Sequence, residues 1–487
     1  DEWAPSPSSL LLESPGRDDR PWWLGGRRVQ VRGTDRSGAT ELHAPGAVLV
    51  QGLQLRVAGV SPELTAIRFS PDEIVRVLRA GSVELTERIS VALDHGLVCW
   101  GIVADAPVPI SLHWTAPLPP RPRPPADPAI TSDDPEPDLP DPAPTLRLGN
   151  GANGLTVVAC AGTVQRASTP GTGASVCAAE GDRMLRLVFA GGSLGEVQRS
   201  EEAFARRRLR AFRQDRILHA RRLEQRLTAL ESVDAMLDRA VHWAKIRLDA
   251  SVCEITGTGR MPRIPGSDGS VAEACAIAGA ALVAGDREIA LDLLRALARS
   301  GVEGTEGRAA LGTLVQEYLA WTADQGSIER LNLGEFGPSE SRGSSPASWD
   351  DSMLLRSATG WRPEADRSSS RILRGVIEGL WGIVPDGLNF GLVVRPTLPS
   401  AWPEMALRRL RVGSSLLDLR VRRRPGRVVL RVELLQGPRP RVVAELPTPA
   451  PVSQVTLDDE ALGGTRATFE VSGSHEVSFY LSEGRGP

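Results

Sequence analysis

The chain has 487 residues, enough for two to four domains, each with its own core. With 57 basic and 60 acidic side chains its net charge is -3, which gives no reason to expect a nucleic-acid partner or an anionic membrane surface. No run of about 18 apolar residues occurs, so no membrane-spanning helix is expected, and five cysteines without CxxC or Cys/His ligand spacing indicate neither a zinc site nor a disulfide framework.

Basic charge is almost all arginine, Lys245 being the sole lysine, and a GC-rich bacterial genome accounts for that bias. Aromatics are scarce at 4%, with 11 Trp, 8 Phe and 2 Tyr, which counts against a protein that stacks sugar rings on aromatic faces. Cys160 and Cys177 could pair in an oxidising compartment, although isolated buried thiols fit the spacing better. Residue 1 is Asp rather than Met, which a removed secretory signal or a truncated chain would explain. The expectation is a periplasmic or secreted protein, with the cytoplasm as the alternative.

In chain order, short alternating segments separated by Gly, Pro and Asp turns come first. They are Val29–Arg32, Ala47–Val57, Glu73–Leu78, Val83–Ala92, Val98–Val103 and Ile110–Trp114, and they predict an antiparallel sandwich. Residues Leu118–Pro144 are proline-dense and acidic and predict an exposed extended loop. Strand-like segments resume at Thr145–Leu148, Leu155–Ala159 and Met184–Phe189 and complete the sandwich. Val197–Leu230 is arginine-rich, but Phe204, Leu209, Phe212, Leu223, Leu227 and Leu230 form a helical stripe with acidic residues interspersed. The spacing predicts a solvated linker helix rather than an RNA-binding arm.

Helical periodicity continues through Ser232–Cys253, Ser270–Ala284, Arg287–Ser300, Arg308–Thr322, a short Trp349–Thr359 and Ser369–Gly382. Within Gly375–Arg424 the period then changes. Ile372, Val376, Ile377 and Leu380 recur at helical spacing, whereas Leu417, Leu419 and Val421 alternate as a strand does, across a stiff connector containing Pro385-Asp386-Gly387 and Trp402-Pro403.

That junction resembles the one in glycosidases built on an (α/α)6 toroid, of the glycogen-debranching (amylo-alpha-1,6-glucosidase) type. There a "GL-GI-PD" turn ends the last barrel helix, and an "L-V-P-LP-W" segment leads into a C-terminal β-sandwich. Gly33–Gly46 (GTDRSGATELHAPG) followed by Pro71–Asp94 is similar to the N-terminal supersandwich of the same enzymes. The resemblance implies a multidomain α+β chain: an N-terminal antiparallel β-sandwich over 1–195, a linker helix over 196–231, an α/α toroid-like helical domain over 232–392 and a C-terminal β-sandwich over 393–487. About seven helices are too few to close a twelve-helix toroid, so the helical domain is a reduced one.

Glycoside hydrolysis needs two carboxyl groups across the scissile bond. By the resemblance, Asp268 in the loop Gly257–Gly269 sits where relatives carry an "RD" aspartate, although Ser267 and Gly266 replace the neighbouring arginine and tryptophan. Asp268 could equally cap the following helix. Glu335 and Glu340, in the Gly/Ser-rich loop Asn332–Trp349, are the candidate bases. Trp349, Trp243 and Trp361 could line a sugar cleft, or simply belong to the core. There is no GxSxG, P-loop or dinucleotide fingerprint, and no histidine pair at ligand spacing, so no metal or cofactor is expected. Two readings stand. One is a hydrolase-like protein that takes carbohydrate, α-glucan or oligosaccharide, with Asp268 as acid and Glu335 or Glu340 as base. The other is a truncated, catalytically inactive relative that serves as a structural or interaction subunit with a protein partner or as a homo-oligomer.

Overall fold

A computed structural model describes residues 10–13, 19–119, 144–150, 152–167, 175–207, 209–255, 259–262, 271–302, 304–333, 367–447 and 451–482. The fold is mixed: antiparallel β-sheets, then helices, then β-sheets again. The chain divides into two compact units, one of Asp1–Arg221 with Cys253–Ile255 and the other of Arg222–Val252 with Thr256–Pro487.

In the first unit an eight-stranded sheet runs in the order Leu10–Glu13, Glu63–Phe69, Glu73–Ala80, Val83–Val91, Leu97–Ala104, Met184–Ser193, Asn153–Ala161, Thr145–Gly149. A seven-stranded sheet runs Thr163–Ala167, Ser175–Asp182, Pro109–Ala116, Ala47–Val57, Gly38–Ala44, Gln30–Thr34, Pro21–Gly25. Side chains on a strand alternate between its faces, and in Val83–Val91 that alternation buries Leu85, Glu87, Ile89 and Val91 together. The inward Glu87 is satisfied by Arg76, which is itself 2% exposed, and by Trp100, whose indole N–H donates to Glu87 Oε1 at 2.9 Å. Gly38 leaves room for that arginine: its φ is +78°, and a Cβ there would lie 2.0 Å from Arg76 Nη1. Cys160 and Cys177 lie on different sheets and form no disulfide with each other, so the pair weighed from the sequence is not formed.

The expected linker helix is two helices. α1, Leu194–Arg206, starts with a Ser193/Glu196 capping box and ends at Arg207, whose backbone is extended; α2 is Leu209–Arg226. Two arginines of α2 tie it to the sheets of the first unit. Arg216 is buried and donates to the carbonyls of Pro71 and Gly25, and Arg213 pairs with Asp72 at 2.9 Å. Guanidinium groups serve here as multi-donor ties.

In the second unit the chain continues as α3, Ala235–Ala250, capped by the Asp234 carboxylate on the N–H groups of Met236 and Leu237. There follow α4 (Val271–Val283), α5 (Arg287–Ser300), α6 (Thr305–Thr322), α7 (Gln325–Arg330) and α8 (Arg367–Arg374). α4 packs on α5, α6 and α8, and α3 packs on α8. The bounds of α3 to α6 agree with the sequence periodicity to within about three residues, α7 was not expected from it, α8 ends eight residues before the expected Gly382, and the expected helix Trp349–Thr359 lies outside the described residues. Without a break α8 passes into a π-helical turn, Gly375–Leu380, in which Trp381 N–H reaches back to the Val376 carbonyl at 3.0 Å.

The C-terminal strands form a seven-stranded sheet in the order Ala229–Glu231, Glu404–Val412, Ser415–Arg424, Arg427–Gln436, Ser474–Leu481, Val452–Leu457, Glu460–Leu462. A four-stranded sheet runs Val384–Asp386, Gly391–Val394, Arg441–Glu445, Arg466–Glu470. Leu417, Leu419 and Val421 are fully buried, as their alternation requires. Ala229–Glu231, expected to be the end of a helix, instead pairs with Glu404–Val412 and places Leu230 opposite Leu407. One continuous core joins helix residues such as Leu293, Leu314 and Leu380 to strand residues such as Leu417, Val442 and Phe479, so helices and C-terminal strands are buried against each other.

Candidate functional site

Three helical elements of the second unit bring charge together inside an otherwise apolar packing. Arg374 ends α8, Glu378 lies four residues on in the π-helical turn, and Glu317 projects from α6. Arg374 Nη2 donates to Glu317 Oε2, and Nη1 lies 3.6 Å from Glu378 Oε2. The three side chains are only 17–22% exposed. On α4, Gly279 makes room for them: a Cβ there would stand 2.4 Å from Arg374 Nη2 and 2.7 Å from Glu317 Oε2. One turn earlier on α4 is Cys275, whose thiol is pushed up to about 12 by burial and by the Glu317 charge.

Burial dominates the electrostatics here. It pushes the Glu378 carboxyl up to about 7, against the attraction of Arg374 and with the help of the Glu317 charge. At neutral pH such a group exists in both protonation states and can give or take a proton, the property required of a general acid or base. Its position adds weight, because single π-turns inserted in α-helices recur at functional sites. Here the turn carries Gly375 and Gly379 on either side of the glutamate.

Asp268 falls three residues before α4, and Glu335, Glu340, Trp349 and Trp361 fall between α7 and α8; all five lie outside the described residues. Trp243 is described: it sits on α3 and is 3% exposed, which places it in the interior, as the core alternative has it. Glu317, Arg374 and Glu378 were missed because the stripe Ile372, Val376, Ile377, Leu380 reads as an ordinary buried helix face. The available signal was an Arg and a Glu spaced i, i+4 within it.

Lys245 on α3 is 2% exposed, and its ammonium donates to the Thr228 carbonyl at 3.0 Å. Burial, with the nearby Arg409 charge, lowers it to about 8. The adjacent His242 is lowered by burial, and neither ring nitrogen has a hydrogen-bond partner among the described residues. A surface cleft of about 630 Å³ opens on the C-terminal strands, lined by Glu445, Leu446, Pro451, Val452 and Gly463 to Arg466. Its carboxylate, Glu445, is tied to Arg395 at 2.7 Å, so the cleft offers no carboxylate pair. Among the described residues no group of three His, Cys, Asp or Glu side chains could hold a metal ion, and no helix is long and apolar enough to cross a membrane.

No family model matches the chain, and no curated protein matches it. Among solved structures it is similar to a protein described as a kojibiose phosphorylase from the human microbiome, at 7% identity and TM-score 0.49 over 96% of this chain and 92% of that one. It is also similar to a bacterial glucoamylase in complex with acarbose, at 11% identity and TM-score 0.45 over 76% and 71% of the two chains. A family GH92 α-mannosidase from Bacteroides thetaiotaomicron follows, at 7% identity and TM-score 0.36 over 95% and 89%. With TM-scores below 0.5 and identities of 11% or less, these similarities do not assign an activity to this chain.

Proposed function

We propose that the chain is a glycoside-hydrolase-like protein whose helical region, a reduced α/α toroid, acts on α-glucan or oligosaccharide linkages with paired carboxyl groups. The observation that carries the reading is Glu378, a half-buried carboxyl that titrates near 7 across Arg374 from a second carboxylate, Glu317. In this reading Asp268 is the acid and Glu335 or Glu340 the base. Glu378 holds an exchangeable proton at working pH in the wall formed by α4, α6 and the π-helical turn. The motif resemblance at Gly375–Arg424, which contains Glu378, supports the same conclusion.

The test is reducing-sugar release from a panel of α-glucans and oligosaccharides by the full chain and by Asp268→Asn, Glu335→Gln and Glu340→Gln. Loss of a general acid or base is expected to lower the rate by about 10²–10⁴. A second reading, a catalytically silent subunit that binds a partner chain or a second copy, is favoured by the interior position of Trp243 and by the clamping of both Glu317 and Glu378 on one arginine. No turnover of any substrate by folded protein would select it.

A further inference from the structure

At one end of the C-terminal sandwich, where the strand Ser474–Leu481 begins, three side chains meet that the carboxylate chemistry does not use. His475 Nδ1 lies 2.7 Å from Asp458 Oδ2, and the opposite ring nitrogen, Nε2, lies 3.2 Å from Ser472 Oγ. The backbone N–H of Ser472 also donates to Nε2, at 3.2 Å. Asp458 occupies the two-residue turn between the paired residues Leu457 and Glu460, with left-handed φ of 50° there and 69° at Asp459, a conformation aspartate tolerates. Its other oxygen, Oδ1, accepts the Glu476 N–H at 2.8 Å, so both carboxylate oxygens are fixed.

The protonation pattern follows from these contacts. Partial burial pushes Asp458 up, but the bonds from Glu476 N–H and from His475 outweigh it and hold the carboxyl below its ordinary range. An ionised carboxylate only accepts, so the proton between it and Nδ1 belongs to the imidazole. Nε2 then carries the lone pair, which accepts from the Ser472 backbone N–H and also faces the Ser472 hydroxyl, each at 3.2 Å. The Phe469 ring, 5.5 Å from the imidazole centroid, braces the histidine, whose side chain is 19% exposed, while Ser472 is exposed to solvent. A tie between turns needs only the Asp458–His475 bond and the Ser472 N–H on Nε2. The hydroxyl on the other nitrogen makes it an arrangement of nucleophile, base and orienting carboxylate, which is recognised by geometry and not by chain order.

We propose that Ser472, His475 and Asp458 form a second site, an acyl-transfer centre that hydrolyses small carboxylic esters. As Ser472 Oγ bonds to the ester carbonyl carbon, its proton passes to His475 Nε2 and Asp458 steadies the imidazolium. The tetrahedral adduct collapses, the bond from carbon to the alcohol oxygen breaks, and the alcohol leaves with the proton from Nε2. Water then adds to the acyl carbon and gives a proton to Nε2. The bond to Oγ breaks, Ser472 recovers its proton, and the acid is released. Because Ser472 is exposed, the ester is one presented at the surface.

The proposal is tested on the full chain with p-nitrophenyl acetate and with a fluorophosphonate that phosphonylates activated serines, the adduct being located by mass spectrometry. The expected result is a p-nitrophenol burst and an adduct on Ser472, both lost in Ser472→Ala. His475→Gln should slow labelling by about 10² or more, and Asp458→Asn should slow it while leaving Ser472 the labelled residue. An unlabelled Ser472, or labelling at an undiminished rate in folded His475→Gln, overturns the proposal. If His475→Gln does not fold, the site of labelling in the unaltered chain decides. None of these outcomes depends on sugar hydrolysis.

Discussion

Arg76 and Glu87 lie side by side in the first unit with almost no exposure, and a buried pair of this kind is costly to break and cheap to replace. Removing one partner, as in Arg76→Met, should cost about 3–5 kcal/mol because a charge is left buried alone. The double change Arg76→Met with Glu87→Leu should recover much of that loss, measured by denaturant midpoint. Glu378 gives a pH signature. Its folded value of about 7 lies above the ordinary 4.5, so the folded state holds the proton more tightly. Its contribution to stability is therefore complete below about 4.5 and is lost as pH rises through 7, a swing of roughly 3 kcal/mol. Glu378→Gln should flatten the stability profile in that window. Lys245 runs the other way in sign: its folded value of about 8 lies below 10.5, so it penalises the fold at neutral pH and the penalty lifts between about 8 and 10.5. Unfolding of the wild type should become harder across that alkaline range, and Lys245→Met should remove the Lys245 share of the rise.

Among the elements, the contact of α4, α6 and α8 depends on the absence of a side chain at Gly279. Gly279→Ala would push a methyl group into Arg374, which two carboxylates already hold in place, so a loss of about 1–3 kcal/mol is expected, with the Glu378 titration displaced. Equal stability and an unmoved titration would mean that Arg374 is free to swing aside. Helix positions were legible in the sequence because their apolar stripes are long; Arg287–Ser300 agrees at both ends. The break at Arg207 was not legible, since it sits in an unbroken run of helix-favouring residues, and Ala229–Glu231 is a strand only because Glu404–Val412 lies beside it. The site was less legible still. Glu378 looks like a stray charge in an apolar stripe until Arg374 and Glu317 are placed around it, and Asp458, Ser472 and His475 meet only because two turns of the C-terminal sheets close on each other.

At the scale of the whole molecule, the helices and C-terminal strands of the second unit share a single core. They should therefore unfold together: amides of Leu314 on α6 and of Leu419 and Val477 in the strands should lose hydrogen-exchange protection at the same denaturant concentration. Strand amides that outlast those of the helices would indicate separable cores. The central claim is that the helical region does acid–base work on glycosidic bonds, and its most direct test is the pH dependence of sugar release by the wild type and by Glu378→Gln. The expected wild-type profile has a limb near pH 7 that shifts or disappears in the variant. A folded wild type with no turnover, or a profile unchanged by Glu378→Gln, would contradict the claim.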